Sequence, residues 1–338
     1  MPGVAGNMHR MHPPPADQRL LCSEEAWGLY GGPIQAVAPG ISPLLLRART
    51  PPADPDAELA WLTFDLWETG SLRAFVDYLR ADRALRWLHT DSAGVDRPVY
   101  AELVKRGVRL TNAHVTGDSI ADFVLRAVLD IFQDAGAWRR AQGEHRWERH
   151  RFRPMAGSTW VIVGLGAIGR ATAVRAAAFG ARVVGIRRRP RGDEPCDQVL
   201  APADLADAVR TADVVVLALP LSAGTRDLAD ASLLGSMAPG CILVNVSRGA
   251  LVDEGALVAA LDRGRPGWAV LDVFRTEPLP ADSPLWDHPR VVVTPHNSAG
   301  GAVSPERAAE VFIANLRRFA AGQELESDAS EEALAAGG

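Results

Sequence analysis

The stretch that decides the fold is Val161-Ile162-Val163-Gly164-Leu165-Gly166-Ala167-Ile168-Gly169. It reads as an apolar strand, Thr159 to Val163, that runs into a GxGxxG turn. An alanine-rich helix, Arg170 to Phe179, follows. In that strand-turn-helix setting Gly164 permits a tight turn. Gly166 lets the backbone approach a pyrophosphate, and Gly169 allows close packing of helix on strand. The amides of Ala167 and Ile168 then face phosphate from the helix N-terminus. The reading is a dinucleotide site.

The next strand, Arg182 to Ile186, bears on which dinucleotide. An NAD site places an Asp or Glu about 20 residues after the glycines, on the ribose 2′-hydroxyl. Here the strand runs into Arg187-Arg188-Arg189, and no acid appears before Asp193. Guanidinium groups bind a 2′-phosphate bidentately, whereas a carboxylate repels it. NADP(H) is therefore expected over NAD(H). The alternatives are a solvated loop that reflects arginine bias, and an enzyme that uses both cofactors. The bias is real: Lys105 is the only lysine in a total of 36 Lys and Arg.

Further along, strands alternate with helices. Asp213 to Leu219, Cys241 to Val246, Trp268 to Val273 and Arg290 to Thr294 read as strands, and Glu254 to Asp262 reads as a helix. Upstream, Arg19 to Cys22, Leu44 to Arg47, Ala60 to Phe64, Leu85 to His89 and Val108 to Leu110 read as strands. Ser71 to Leu79 and Asp118 to Phe132 show helical spacing. The expected fold class is α/β, with two Rossmann-like or flavodoxin-like doubly wound parallel-sheet domains and a cleft between them. At 338 residues the chain has room for two such domains. The expected division is a disordered lead over 1–18, a substrate domain over 19–122 and 300–325, a dinucleotide-binding domain over 123–299, and a disordered tail over 326–338. The helix Pro305 to Ala321 returns to the first domain.

Three runs put polar residues just after apolar strands of the second half. They are Asn245-Val246-Ser247-Arg248-Gly249, Leu271-Asp272-Val273-Phe274-Arg275-Thr276-Glu277-Pro278 and Thr294-Pro295-His296-Asn297-Ser298. Ligands of open α/β sheets bind at the carboxyl ends of the strands. His296 can give a proton to a carbonyl oxygen as hydride reaches the carbon. Glu277 would stabilise the imidazolium. Arg248 can hold a carboxylate by a bidentate pair and polarise the adjacent carbonyl. Each alone has an ordinary structural reading, and it is their order on three successive strand ends that groups them.

The run from Gly164 to Gly322 resembles the D-isomer-specific 2-hydroxyacid dehydrogenase family, with its glyoxylate/hydroxypyruvate reductase-like members. The likeness lies in VGLGAIGR (163–170), LPLSAGTRDL (219–228), ILVNVSRGALVDEGALVAAL (242–261), AVLDVFRTEPLP (269–280), SPLW (283–286) and VVVTPHNSAG (291–300). The resemblance implies Arg248, Glu277 and His296 as the catalytic set, and Asp272 as the partner of the nicotinamide carboxamide. It implies further cofactor contacts from Leu219, Pro220 and Thr225, and from the backbone near Val246 and Ser247. It also implies a homodimer. The run Asp91 to Asp96 resembles the family's loop whose amides bind the substrate carboxylate, giving Ser92, Ala93 and Gly94, with Ser92 where a Gly is usual. After Thr111-Asn112-Ala113 the family usually carries Ala-Glu, and this chain has Ala121-Asp122. Residues 1 to 60 carry no such match. Phe64, Leu66 and Trp67 read either as pocket lining or as core or dimer contacts.

The implied function is NAD(P)H-dependent reduction of a small 2-keto acid to the D-2-hydroxy acid. A dinucleotide-sensing corepressor and a phosphoglycerate or other D-2-hydroxyacid dehydrogenase are the alternatives. A catalytic-lysine mechanism is disfavoured because Lys105 lies upstream of the glycine turn. The net charge of −5 argues against a general nucleic-acid surface. No apolar run approaches the ~18 residues of a membrane span. Cys22, Cys196 and Cys241 lie far apart, with no metal-ligand spacing, and read as reduced thiols of a cytoplasmic protein. No metal is expected.

Overall fold

The computed structural model describes residues 17–47, 49–301 and 304–331. Along the chain β1 (Gln18–Ser23) leads to α1 (Glu24–Val37), β2 (Ile41–Leu46), β3 (Leu59–Leu62), α2 (Asp65–Glu68) and α3 (Leu72–Ala81). Then come β4 (Trp87–Thr90), α4 (Pro98–Lys105) and β5 (Arg109–Asn112). A second series follows: α5 (Gly117–Phe132), α6 (Ala135–Gly143), β6 (Thr159–Val163), α7 (Ala167–Ala178), β7 (Arg182–Ile186), β8 (Gln198–Leu200) and α8 (Leu205–Ala208). It continues with β9 (Val214–Leu217), α9 (Ala231–Ser236), β10 (Ile242–Asn245), α10 (Glu254–Asp262), β11 (Trp268–Leu271) and β12 (Val291–Val293). The last helix is α11 (Ser304–Ala320).

The chain divides into two compact units, Met1–Val115 with Ala302–Gly338, and Thr116–Gly301. The sequence reading set these boundaries at 122/123 and 299/300. Helix α5 lies wholly in the second unit because Ile120, Val124 and Leu125 share a core with Ala173 and Ala176 of α7.

In the first unit all strands are parallel, in the order β2-β1-β3-β4-β5. This is the flavodoxin-like winding. Its core is aromatic where the chain returns. Phe312 of α11 stacks on Trp61 at 4.3 Å and on Trp87 at 5.5 Å, and Phe319 stacks on Trp87 at 5.3 Å. Helix α1 escapes a periodicity reading because Gly28, Gly31, Gly32 and Pro33 lie inside it. It forms because Ser23 caps it, accepting the Ala26 amide at 3.0 Å, and because Ala26 and Ile34 are buried. Gly31 leaves room for the Trp27 ring: a Cβ there would stand 3.0 Å from it, close enough that the ring would have to give.

Both ends of this unit are more ordered than expected. Gln18, expected in a disordered lead, already belongs to β1; residues 1–16 lie outside the described residues. The described part of the expected tail, 326–331, is tied to β5. Asp328 bridges Thr111 and pairs with Arg109 at 2.8 Å, the Ala329 amide donates to Leu110 O at 2.8 Å, and Ala329 is buried. Paired backbone and a buried side chain are what keep this segment from fraying. Residues 332–338 of the expected tail lie outside the described residues.

In the second unit the order is β12-β11-β10-β9-β6-β7-β8, again all parallel. This is the Rossmann winding, and the strand order reverses between β6 and β9. Central strands β9 and β10 are buried along their whole length, as continuous Val, Leu and Ile runs require in a doubly covered sheet.

Candidate active site

The glycine turn follows β6 at the reversal point. Gly164 adopts φ +95°, and a Cβ there would lie 2.4 Å from Ala218 O, so the turn passes directly over the end of β9. A Cβ on Gly169 would meet Gly164 O at 1.9 Å, which makes that glycine a packing requirement. Gly166 differs: nothing lies within 4 Å of its Cβ position. It is also the N-cap of α7, with no side chain closing the helix end. The helix therefore begins at Ala167, three residues earlier than the sequence reading placed it. The space above Gly166 and the uncapped first turn at Ala167 and Ile168 fit a dinucleotide pyrophosphate.

Around this turn, Ser247 Oγ donates to Leu219 O, which ties the loop after β10 to the loop after β9. Thr225 Oγ1 donates to Pro220 O at 2.9 Å and accepts the Ser222 amide at 2.8 Å, so Thr225 shapes its own loop. Val246 is buried in the same core as Ile162 and Val244. After β7, Arg187 is drawn into an ion pair with Glu194 at 3.1 Å. Arg188 and Arg189 remain exposed.

The three polar runs converge. Asn245 is fully buried; its Nδ2 donates to Arg248 O at 2.9 Å, and its Oδ1 accepts the Ser247 amide at 3.2 Å. That fixes the loop carrying Arg248. Gly249 follows because the next loop runs against it: a Cβ there would stand 1.9 Å from the Phe274 carbonyl carbon. Glu277 Oε1 accepts the Phe274 amide at 3.0 Å, and Oε2 meets His296 Nδ1 at 2.8 Å. Burial pushes the Glu277 carboxyl up, but the hydrogen bonds from His296 and Phe274 and the charges of His296 and Arg248 outweigh it. The group stays below its ordinary value. His296 sits in the left-handed backbone region, φ +51°, with its side chain 48% exposed. This backbone region is uncommon for a non-glycine residue, and His is one of the residues that adopt it.

Asp272 holds that conformation. It is fully buried, and its carboxylate accepts Thr294 Oγ1 at 2.6 Å, the Asn297 amide at 2.9 Å and the Ser298 amide at 2.9 Å. Its own carbonyl accepts the His296 amide at 2.8 Å. Both carboxylate oxygens thus latch the histidine loop. Asn245, Thr294, Asn297 and Ser298 were not singled out from sequence. The one signal available was the density of Asn, Ser and Thr directly after a strand.

In the first unit, Ser92, Ala93 and Gly94 follow β4. The Ser92 amide is taken by Thr90 Oγ1 at 3.2 Å, and Ala93 O accepts Asn112 Nδ2 at 2.8 Å. Asp91, buried beside this loop, accepts Trp61 Nε1 at 2.8 Å and the Phe64 amide at 3.3 Å. Of the three apolar residues after β3, Leu66 is core, whereas Phe64 and Trp67 are half-buried with ring centroids 6.3 Å apart. Among the described residues no group of three His, Cys, Asp or Glu is placed to hold a metal, and no helix is long and apolar enough to cross a membrane.

Residues 125–298 match the family described as D-isomer specific 2-hydroxyacid dehydrogenase, NAD binding domain. D-3-phosphoglycerate dehydrogenase of Mycobacterium tuberculosis is 35% identical over 250 residues, 73% of this chain and 47% of that protein. The chain thus spans about half the length of that relative. Glyoxylate/hydroxypyruvate reductase A of Serratia proteamaculans is 31% identical over 238 residues, 68% of this chain and 75% of that protein. A D-isomer specific 2-hydroxyacid dehydrogenase from Xanthobacter autotrophicus, solved in complex with NADPH and MES, superposes with a TM-score of 0.75. It is 31% identical, over 94% of this chain and 99% of that one. By sequence match and by fold, this chain belongs to the D-isomer specific 2-hydroxyacid dehydrogenase family.

Proposed function

We propose that the protein is an NAD(P)H-dependent oxidoreductase that reduces a small 2-keto acid, of the glyoxylate or hydroxypyruvate kind, to the D-2-hydroxy acid. The observation that carries this reading is the Glu277–His296 pair at 2.8 Å, with the charge of Arg248 acting on the same carboxylate. His296 is the proton donor to the substrate oxygen, and in reverse the acceptor. Glu277 orients the ring through Nδ1, which leaves Nε2 to face substrate. Arg248 holds the substrate carboxylate and polarises the neighbouring carbonyl. Ser92, Ala93 and Gly94 are the further carboxylate contacts, made by backbone amides. With the Ser92 amide already engaged, those of Ala93 and Gly94 carry that role.

The nicotinamide cofactor, when bound, supplies the hydride. Gly166, Ala167 and Ile168 face its pyrophosphate, and Gly164 and Gly169 shape the turn that carries them. Leu219, Pro220, Thr225, Val246, Ser247 and Asp272 flank the rest, with Asp272 acting through the histidine loop that it latches. NADP(H) is the preferred form, on the grounds of the arginines after β7 and the NADPH bound by the Xanthobacter relative. The three cysteines stand as free thiols and support a cytoplasmic setting. A homodimer is the proposed assembly. Trp147, 92% exposed, and the exposed pair Trp138 and Phe152, whose rings meet edge to face at 5.9 Å, offer apolar anchors of the kind such a contact uses.

The test is a panel of glyoxylate, hydroxypyruvate and bulkier 2-keto acids, with 3-phosphoglycerate in the oxidative direction, each assayed with both cofactors. Turnover of a short-chain 2-keto acid is expected, and His296→Ala should lower kcat by about 100-fold or more. Cofactor binding without turnover of any panel member would instead identify a dinucleotide sensor. Unchanged rates in His296→Ala and Arg248→Ala would refute the mechanism.

A further inference from the structure

The eight residues after β7 form a closed loop around one carboxylate. Glu194 is almost fully sequestered, with its side chain 3% exposed. Oε1 accepts the Arg191 amide at 2.6 Å and Arg187 Nη1 at 3.1 Å, and Oε2 accepts the Gly192 amide at 2.8 Å. Gly192, at φ +86°, supplies the backbone turn that points two successive amides at this group. The loop's other acid, Asp193, is turned to Arg170 on the first turn of α7, with Nη1 to Oδ1 at 3.2 Å, Nη2 to Oδ2 at 3.3 Å and Nη2 to the main-chain oxygen at 3.0 Å. Both acids thus have charged partners, Glu194 within the loop and Asp193 on α7. Arg188 and Arg189 stay exposed, and neither makes an ion pair or side-chain hydrogen bond among the described residues.

We infer that Glu194 is a positioning residue for cofactor choice: it withdraws Arg187 as a strut and pins the loop, so that Arg188 and Arg189 meet the 2′-phosphate of NADPH. This rests on the NADP(H) reading above. Its physical basis is preorganisation. A guanidinium pair on a fixed backbone loses less freedom on gripping a phosphate than one on a loose loop. A carboxylate in the same segment is compatible with a 2′-phosphate only when its charge is already satisfied.

The test uses the full chain without substrate and measures the Kd of NADPH and of NADH by calorimetry, so the readout does not depend on turnover. Arg188→Ala with Arg189→Ala should weaken NADPH by about 100-fold and leave NADH within twofold, since two charge-assisted contacts are lost. Glu194→Ala should weaken NADPH by about tenfold, again with NADH within twofold. Glu194→Gln, which keeps one acceptor oxygen, should fall between and serves if the alanine variant folds poorly. Arg187→Met should match Glu194→Ala, and the double variant should add nothing further. The inference is overturned if Glu194→Ala leaves NADPH binding unchanged, tightens it, or weakens both cofactors alike. A wild type that binds NADPH no tighter than NADH defeats the NADP(H) reading and this inference with it, whereas an NADPH-preferring wild type whose Arg188/Arg189 double variant has no effect overturns the inference alone.

Discussion

Both units collect polar side chains at the carboxyl ends of parallel strands, but they use them in opposite ways. In the second unit Glu277 and His296 are 37% and 48% exposed, and the buried Asn245 and Asp272 serve to aim the loops that carry functional side chains. In the first unit His89, Thr90, Asp91, Thr111 and Asn112 are all buried: Thr90 meets the Tyr100 hydroxyl, Asp91 accepts from Trp61 and the Phe64 amide, and Asn112 donates to Ala93 O, while His89 Nε2 and Asn112 Oδ1 have no hydrogen-bond partner among the described residues. His89 Nδ1 and Trp87 Nε1 share Thr111 Oγ1, at 2.7 and 2.8 Å, and burial pushes the His89 ring down to about 3, so it stays neutral. What this framework presents is backbone, the loop Ser92 to Gly94. One unit displays chemistry on side chains; the other hides side chains in order to hold amides still.

That contrast predicts where the large stability effects lie. The first unit depends on a helix from the far end of the chain, through the stack of Phe312 on Trp61 and Trp87. Phe312→Ala removes the middle ring and should cost about 3–5 kcal/mol. In urea unfolding the expected result is a new early transition, while the core of the second unit unfolds where it did. A single transition shifted as a whole would mean that the two units do not unfold separately.

A smaller effect separates packing glycines from binding glycines in the second unit. Gly166 has open space at its Cβ position, whereas Gly164 and Gly169 face backbone oxygens. Gly166→Ala should therefore leave thermal stability within about 1 kcal/mol. It should still weaken either cofactor by about tenfold, because a methyl group then stands in the pyrophosphate's place. A clear drop in Tm with unaltered affinity would make Gly166 a structural glycine like its neighbours.

The same contrast explains what the sequence revealed. The second unit was legible because its chemistry is written in side-chain identity at strand ends: Arg248, Glu277 and His296 are visible as residues, and the glycine turn has a spacing. Asp272 was visible too, but not its three bonds to the histidine loop, since hydrogen bonding across 22 to 26 residues leaves no local pattern. The first unit was read less fully. Helix α1 hid behind its glycines and proline, helix α4 (Pro98–Lys105) opens on Pro98 but has no side-chain cap before it, and the segment 326–331 looked like a tail by composition although it pairs with β5. Function carried by backbone amides has no residue signature, so the loop after Asp91 was found through its likeness to a family.

Asp91 offers the finest test of the comparison, because it and Glu277 are both carboxylates at strand ends with opposite shifts. Burial raises the Asp91 carboxyl to about 7, against the bonds from Trp61 and Phe64 that favour its ionised form. The folded state then keeps this proton up to about pH 7, while the unfolded chain gives it up near 4. Between those values the unfolded state sheds its proton first, so this group's contribution to stability falls as pH rises, by at most about 1.4 kcal/mol per pH unit. Glu277 runs the other way: its contribution is present above the ordinary carboxylate value and is lost as pH falls through the lowered one. Asp91→Asn should therefore flatten the decline of the first unit's urea midpoint between pH 4 and 7, and Glu277→Gln should leave that window alone and act only on the acid side. If Asp91→Asn left the slope as it was, Asp91 would be ionised in the folded protein. Its charge would then be part of what the loop at Ser92 to Gly94 presents, and the division between a unit that displays charge and one that hides it would fail at that residue.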